Sequence, residues 1–314
     1  VLTLIGWASI PLFLKHFAAL IDPWTANGWR YGISALLWLP VLLWGWHRRN
    51  LPKGLWKAAL VPSLFNIPGQ VCFAIAPYKI DPGLMTFSLR LQIVFVALGA
   101  VLMFPGERRV VKHPAFIAGI VLVLGGTMAT AALRPGGLGS AEAMGVVLSG
   151  GAGLLYACYA LSVRKCMQGI PPLVAFAAVS QITAAAMIGL MLIFGEQGGA
   201  TVFALPGEQQ MLLVLSSLIG IGLGHGAVAS GVVQLQPFLV SAGSLLLFKE
   251  KLSPLQWVTG TTAVAGAIVM LVVQKRIADV AKRERELKAF DELPVDEDVA
   301  VMEAATEVAP AARR

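Results

Sequence analysis

Residues 91–104 read LQIVFVALGAVLMF, and residues 235–248 read LQPFLVSAGSLLLF. Aligned without a gap, six of the fourteen positions match: Leu91/Leu235, Gln92/Gln236, Val96/Val240, Gly99/Gly243, Leu102/Leu246 and Phe104/Phe248. The offset is 144 residues. An apolar stretch written twice at this distance predicts two copies of one structural unit, and a repeat constrains architecture before any site is argued.

The rest of the chain fits a membrane setting. Of 314 residues, 57% are apolar and only 13% charged, where soluble domains carry about 25% charge. Mean hydropathy is +0.76. A spanning helix needs about 20 apolar residues, and ten runs approach that length: 2–14, 24–46, 55–76, 84–104, 114–133, 144–163, 173–194, 211–224, 227–248 and 255–273. Pro, Gly and charge punctuate the breaks. The runs are continuous, without the two-residue alternation of barrel strands. The expected class is therefore all-α, a polytopic membrane protein of about ten transmembrane helices. The first run opens at Val1 already inside apolar sequence, as a span beginning upstream would. The eighth is short: forty residues, Gln209–Phe248, must supply two helices and a turn. A merged or re-entrant element there would change the count.

Charge placement orients the runs. Eleven Lys/Arg fall in alternate loops on one side (Arg48, Arg49, Lys53, Lys57, Arg108, Arg109, Lys112, Arg164, Lys165, Lys275, Arg276), and five on the other (Lys15, Lys79, Arg134, Lys249, Lys251). This excess predicts both termini in the cytoplasm and an inner-membrane location. The net charge of +7 reads as topology, not as a nucleic-acid footprint. Five spans per half is an odd number, so a copied unit crosses the bilayer upside down. The expected organisation is a first five-helix repeat at 1–133, a linker at 134–143, a second repeat at 144–274, and a charged, partly disordered cytoplasmic tail at 275–314. Inverted repeats that rock around a midplane site are a common secondary-transporter plan. Glu107 and Glu250 follow the two similar stretches and would head the last helix of each half, complementing its dipole. Those last spans carry the glycine pairs Gly119/Gly125 and Gly260/Gly266.

With these features the chain resembles the ten-helix, EamA-like exporters of the drug/metabolite transporter superfamily. The resemblance rests on GWASIPLFLK (6–15), Arg30 in the second span, and LQPFLVSAGSLLLFKEKLSPLQWVTGTTAVAGAIV (235–269), and covers about residues 1–275. It implies export of small metabolites, amino acids or drugs by alternating access, with no cofactor. The chain departs from the family's pattern where Gln92–Ile93 replace a proline in the first copy, and in its short eighth span.

Ionisable groups within spans cost about 2.5–3.5 kcal/mol on insertion scales. Arg30 and Arg90 each lie about six residues, roughly 9 Å, into a span. They read either as guanidinium groups for a carboxylate or phosphate, or as side chains snorkelling to the headgroups. Gln92 and Gln236 face a watery cavity or bond between helices. Gln234 is the offset partner of Arg90. Asn66, Pro68 and Gln70 interrupt the third span as a broken, site-forming helix or a kinked packing helix. Tyr156 and Tyr159 share a helical face, for stacking on substrate or for an interfacial belt. Trp7 and Ser9 in the first span complete the candidates.

His225, in the glycine-rich 219–231 stretch, is a proton-carrier candidate, against close helix packing by the glycines around it. GxxxxGK[ST], HExxH, GxSxG and CxxC are all missing, so the reading is of a non-enzyme. The three cysteines, Cys72, Cys158 and Cys166, lack metal-ligand spacing and read as apolar fillers, with no metal expected. Expected partners are a small-molecule substrate and the lipid bilayer, with a homodimer allowed and nucleic acid not. The competing reading is a non-transporting membrane scaffold or assembly subunit with a sealed core.

Overall fold

The computed structural model describes residues 2–104, 108–133, 137–223, 236–250 and 252–291. Among these the regular structure is all helical. The helices are α1 (Leu2–Phe17), α2 (Pro23–His47), α3 (Leu55–Ile75), α4 (Pro82–Leu89), α5 (Leu91–Met103), α6 (Arg108–Val111), α7 (Pro114–Ala132), α8 (Ser140–Cys166), α9 (Pro172–Phe194), α10 (Gly207–Ser217), α11 (Gln236–Phe248) and α12 (Pro254–Asp291). Among the described residues, six segments are long and apolar enough to cross a bilayer: 55–78, 82–103, 114–132, 140–166, 172–194 and 254–280. A seventh arises if the bent pair 196–204 and 207–221, angled by 117°, counts as one.

Starts follow local chemistry. Asp22–Pro23 opens α2: Asp22 Oδ1 accepts from the Trp24 and Thr25 amides at 3.0 and 2.9 Å, with proline at a position that needs no donor. Ser253–Pro254–Leu255–Gln256 opens α12 as a capping box, with Ser253 Oγ accepting from the Gln256 amide and Gln256 Oε1 from the Ser253 amide.

The two similar stretches fold alike. The described residues of both are helical, Leu91–Met103 in α5 and Gln236–Phe248 in α11. The matched pair Leu102 and Leu246 are both 81% exposed. A β-carbon on Gly99 would press on Leu161, and one on Gly243 on Leu12.

The core is largely apolar but also holds polar side chains, and large apolar side chains cover the outside. Thr25, Asn27, Arg30, Ser34, Thr86 and Ser149 are buried, while Leu36, Leu64, Val121 and Leu246 face outward. Such an exterior suits hydrocarbon rather than water. α2 packs along α9, α3 along α8, and α7 along α12.

Several expectations change. The third span is not broken: α3 runs as one α-helix through Pro62 and Pro68, because a helix embedded among neighbours tolerates the lost donors. The fourth span, 82–103, is the one interrupted, for a single residue at Arg90 whose backbone stays in the helical region, without a proline. The eighth begins at Gly207 and loosens into a π-helix at Leu218–Leu223. α8 begins at Ser140, inside the expected linker, and α12 continues past 274 to Asp291. Glu107, Arg134, His225, Gln234, Lys251 and the tail beyond 291 lie outside the described residues.

Candidate functional site

The helices enclose a cavity of about 290 Å³. Nine of the sequence candidates line it: Trp7 from α1, Arg30 from α2, Asn66 and Gln70 from α3, Arg90 between α4 and α5, Gln92 from α5, Tyr156 and Tyr159 from α8, and Gln236 from α11. α7 and α12 contribute nothing to the wall. Ser9, by contrast, bonds back to the Gly6 carbonyl at 2.7 Å and does not line the cavity.

Both arginines are buried, Arg30 at 2% and Arg90 at 7% exposure, so snorkelling is not their arrangement here. Arg30 Nε donates to Ser216 Oγ at 3.0 Å, tying α2 to α10. Arg90 Nη2 donates to Gln236 Oε1 at 2.6 Å, and Gln236 Nε2 donates to the Trp7 carbonyl at 2.9 Å. On another wall Asn66 Nδ2 donates to Thr183 Oγ1 at 2.9 Å, and Gln70 Nε2 to Asn66 Oδ1 at 3.3 Å. Tyr156 and Tyr159 both line the cavity. Tyr156 leans on Phe73, with ring centroids 6.0 Å apart.

Among the described residues no lining side chain carries a carboxylate, so this part of the wall presents two guanidinium charges among amides, phenols and apolar groups. Such a surface favours an anion with an apolar body. Among the described residues no cluster of His, Cys, Asp or Glu forms a metal site.

The sequence reading missed Tyr31, Phe73 and Ser216. Phe73 continues the 66–70–73 face of α3, and Tyr31 lies one turn beyond the buried Asn27, so helical spacing was the available signal. Ser216 carried none, since serine is ordinary in a membrane helix.

A second constellation lies at one end of the bundle. α4 begins with Asp81–Pro82, as α2 begins with Asp22–Pro23, but Asp81 makes no capping bond to its own helix. It pairs instead with Lys15 at 3.2 Å, whose Nζ also donates to the Pro77 and Ile80 carbonyls. Glu250 supplies the missing cap: its Oε2 accepts from the Gly83 amide at 3.0 Å and its Oε1 from the Leu84 amide at 3.4 Å. Glu250 therefore complements a helix dipole, but that of α4 across the bundle and not that of the helix that follows it. Burial raises its carboxyl above the ordinary value; bonds from Ser244 and Gly83 oppose this and nearby Asp81 adds to it.

Residues 1–131 match the model of the EamA-like transporter family. No curated protein matches the chain. A solved structure titled "Crystal structure of protein" matches with a TM-score of 0.59 and 18% identity, over 88% of this chain and 96% of that one. At that identity the likeness is one of fold. The family's members are membrane transporters, and the long apolar helices make this chain a multi-pass membrane protein. The first 131 residues of the chain are thus similar to the EamA-like transporter family, a match consistent with the drug/metabolite transporter superfamily.

Proposed function

We propose that the protein is a secondary transporter that exports a small metabolite, amino acid or drug-like compound bearing an anionic group. Transport runs by alternating access around the central cavity. Two inverted five-helix repeats, 1–133 and 144–274, rock about it. Ten spans cross the inner membrane with both termini in the cytoplasm, and a homodimer is allowed. Arg90, Arg30, Gln92, Gln236, Asn66, Gln70, Tyr156, Tyr159 and Trp7 contact the substrate.

The observation that carries this reading is a cavity walled from both halves of the chain, holding, among the described residues, two arginines and no carboxylate. A non-transporting scaffold would seal its core and pair its polar groups. The Arg90–Gln236 and Asn66–Thr183 bonds are what that alternative expects; the cavity beside them is what it does not. The test is thermal-shift screening of metabolites on the purified protein, followed by flux in liposomes. Arg90→Ala abolishes binding of an anionic hit, and unchanged affinity and flux would remove the anion site.

A further inference from the structure

Arg90 sits where the fourth span is interrupted, and its guanidinium reaches Gln236 across 146 residues of chain. Gln236 passes the tie on to the Trp7 backbone carbonyl. The strap joins the fourth span to α11 and to α1 along the cavity wall. It links two segments that share a sequence, because Gln92 and Gln236 hold the same place in the two similar stretches.

The partner that Gln236 offers this buried cation is neutral. A carboxamide oxygen accepts from a guanidinium as a carboxylate does, but an ionised acceptor holds it about twice as strongly. Among the described residues the cavity wall supplies no carboxylate to compete. An oxyanion brought in by a ligand is therefore the stronger claimant for Arg90. The cavity has room for it: about 290 Å³, against roughly 30 Å³ for one water.

We propose that Gln236 is a placeholder for the substrate's oxyanion and the residue that couples its binding to movement. A carboxylate or phosphate monoester takes Arg90 from Gln236. The freed amide gives up its hold between the fourth span and α1, and the two halves of the wall part. In the empty protein the strap keeps them together. Gln236 is thus a positioning residue that acts through Arg90. The inference rests on reading the cavity as the substrate site.

The experiment uses the full chain, purified, with benzoate and phenyl phosphate as oxyanion probes and benzyl alcohol as the neutral control. Unfolding midpoints titrated with each probe give affinities for wild type, Gln236→Leu and Gln236→Glu. Both anions raise the wild-type midpoint and the alcohol does not. Gln236→Leu removes the competitor and binds the anions about tenfold more tightly, the scale of one hydrogen bond to a charged group. Gln236→Glu is isosteric, pairs with Arg90 itself, and binds the anions at least tenfold more weakly while its unliganded midpoint holds or rises. Should Gln236→Leu fail to fold, the isosteric variant decides alone. Wild-type binding of the anions with unchanged affinity in the variants overturns the placeholder and leaves the anion site standing. A wild type that answers to neither anion, or equally to the alcohol, overturns both.

Discussion

At the residue scale, the buried arginines differ in what holds them. Arg30 leans on one hydroxyl, since Ser216 Oγ accepts from its Nε while donating to the Leu213 carbonyl. Removing that oxygen leaves a buried N–H of a charged group without its partner, a loss of about 1–3 kcal/mol. Ser216→Ala is therefore expected to lower the unfolding midpoint of the purified protein, whereas the neighbouring Ser217→Ala, whose hydroxyl bonds back to the Leu213 carbonyl of its own helix, lowers it less. A midpoint for Ser216→Ala equal to that of Ser217→Ala would remove the structural role given to the Arg30–Ser216 bond.

At the element scale, α7 and α12 meet through absent side chains. A β-carbon on Gly119 would stand 2.9 Å from the Gly266 carbonyl, one on Gly266 2.7 Å from the Gly119 carbonyl, and one on Gly126 2.6 Å from the Thr259 carbonyl. Backbone cannot yield as a flexible side chain does, so overpacking here costs about 1–3 kcal/mol. Gly125 has open space around it. The pairing of Gly125 with Gly119 expected from a six-residue spacing is thus replaced by Gly126, because a helix turns 3.6 residues per cycle and seven residues return closer to the same face than six. Gly126→Ala should lower the unfolding midpoint, and Gly125→Ala should leave it unchanged or raise it slightly. Equal effects at the two neighbours would contradict this helix register. The Thr130–Thr259 hydroxyl contact at 2.9 Å and the bond from Gln256 to the Thr130 carbonyl at 3.0 Å fasten the same pair at one end.

At the scale of the whole molecule, Glu250 joins the end of α11 to the start of α4. Its carboxyl is raised by burial, so the folded state holds a proton more tightly than the unfolded chain. The stability this adds is complete below the unfolded carboxylate value of about 4.3 and is lost as pH rises through the higher folded value. Wild type is expected to lose stability across that window, and Glu250→Gln, which keeps a neutral acceptor for the Gly83 amide, to flatten the dependence. An unfolding midpoint followed against pH in both proteins checks this; parallel curves would assign the slope to other groups. Glu250→Ala removes the cap and is expected to cost about 1 kcal/mol at low pH, where the contribution of Glu250 is complete. Topology belongs to this scale too. Tags at the two ends, probed from each side of the membrane, are expected on the same, cytoplasmic face, and opposite faces would defeat the inverted arrangement.

Much of the candidate site was legible in the chain because hydrocarbon makes polar groups conspicuous. Arg30, Arg90, Asn66, Gln70 and Gln236 stand out within apolar runs, and each needs a partner or a cavity. Apolar composition and the doubled stretch likewise determined an all-helical membrane protein, since only paired backbone survives in lipid. What tertiary structure alone decided is which partner each group takes: Gln236 for Arg90, Ser216 for Arg30, and the amides of α4 for Glu250. It also decided that the fourth span is interrupted while the proline-bearing third is not. The physical reason is shared. Local sequence states that a polar group or a missing donor must be satisfied, but the atom that satisfies it comes from a helix dozens to hundreds of residues away.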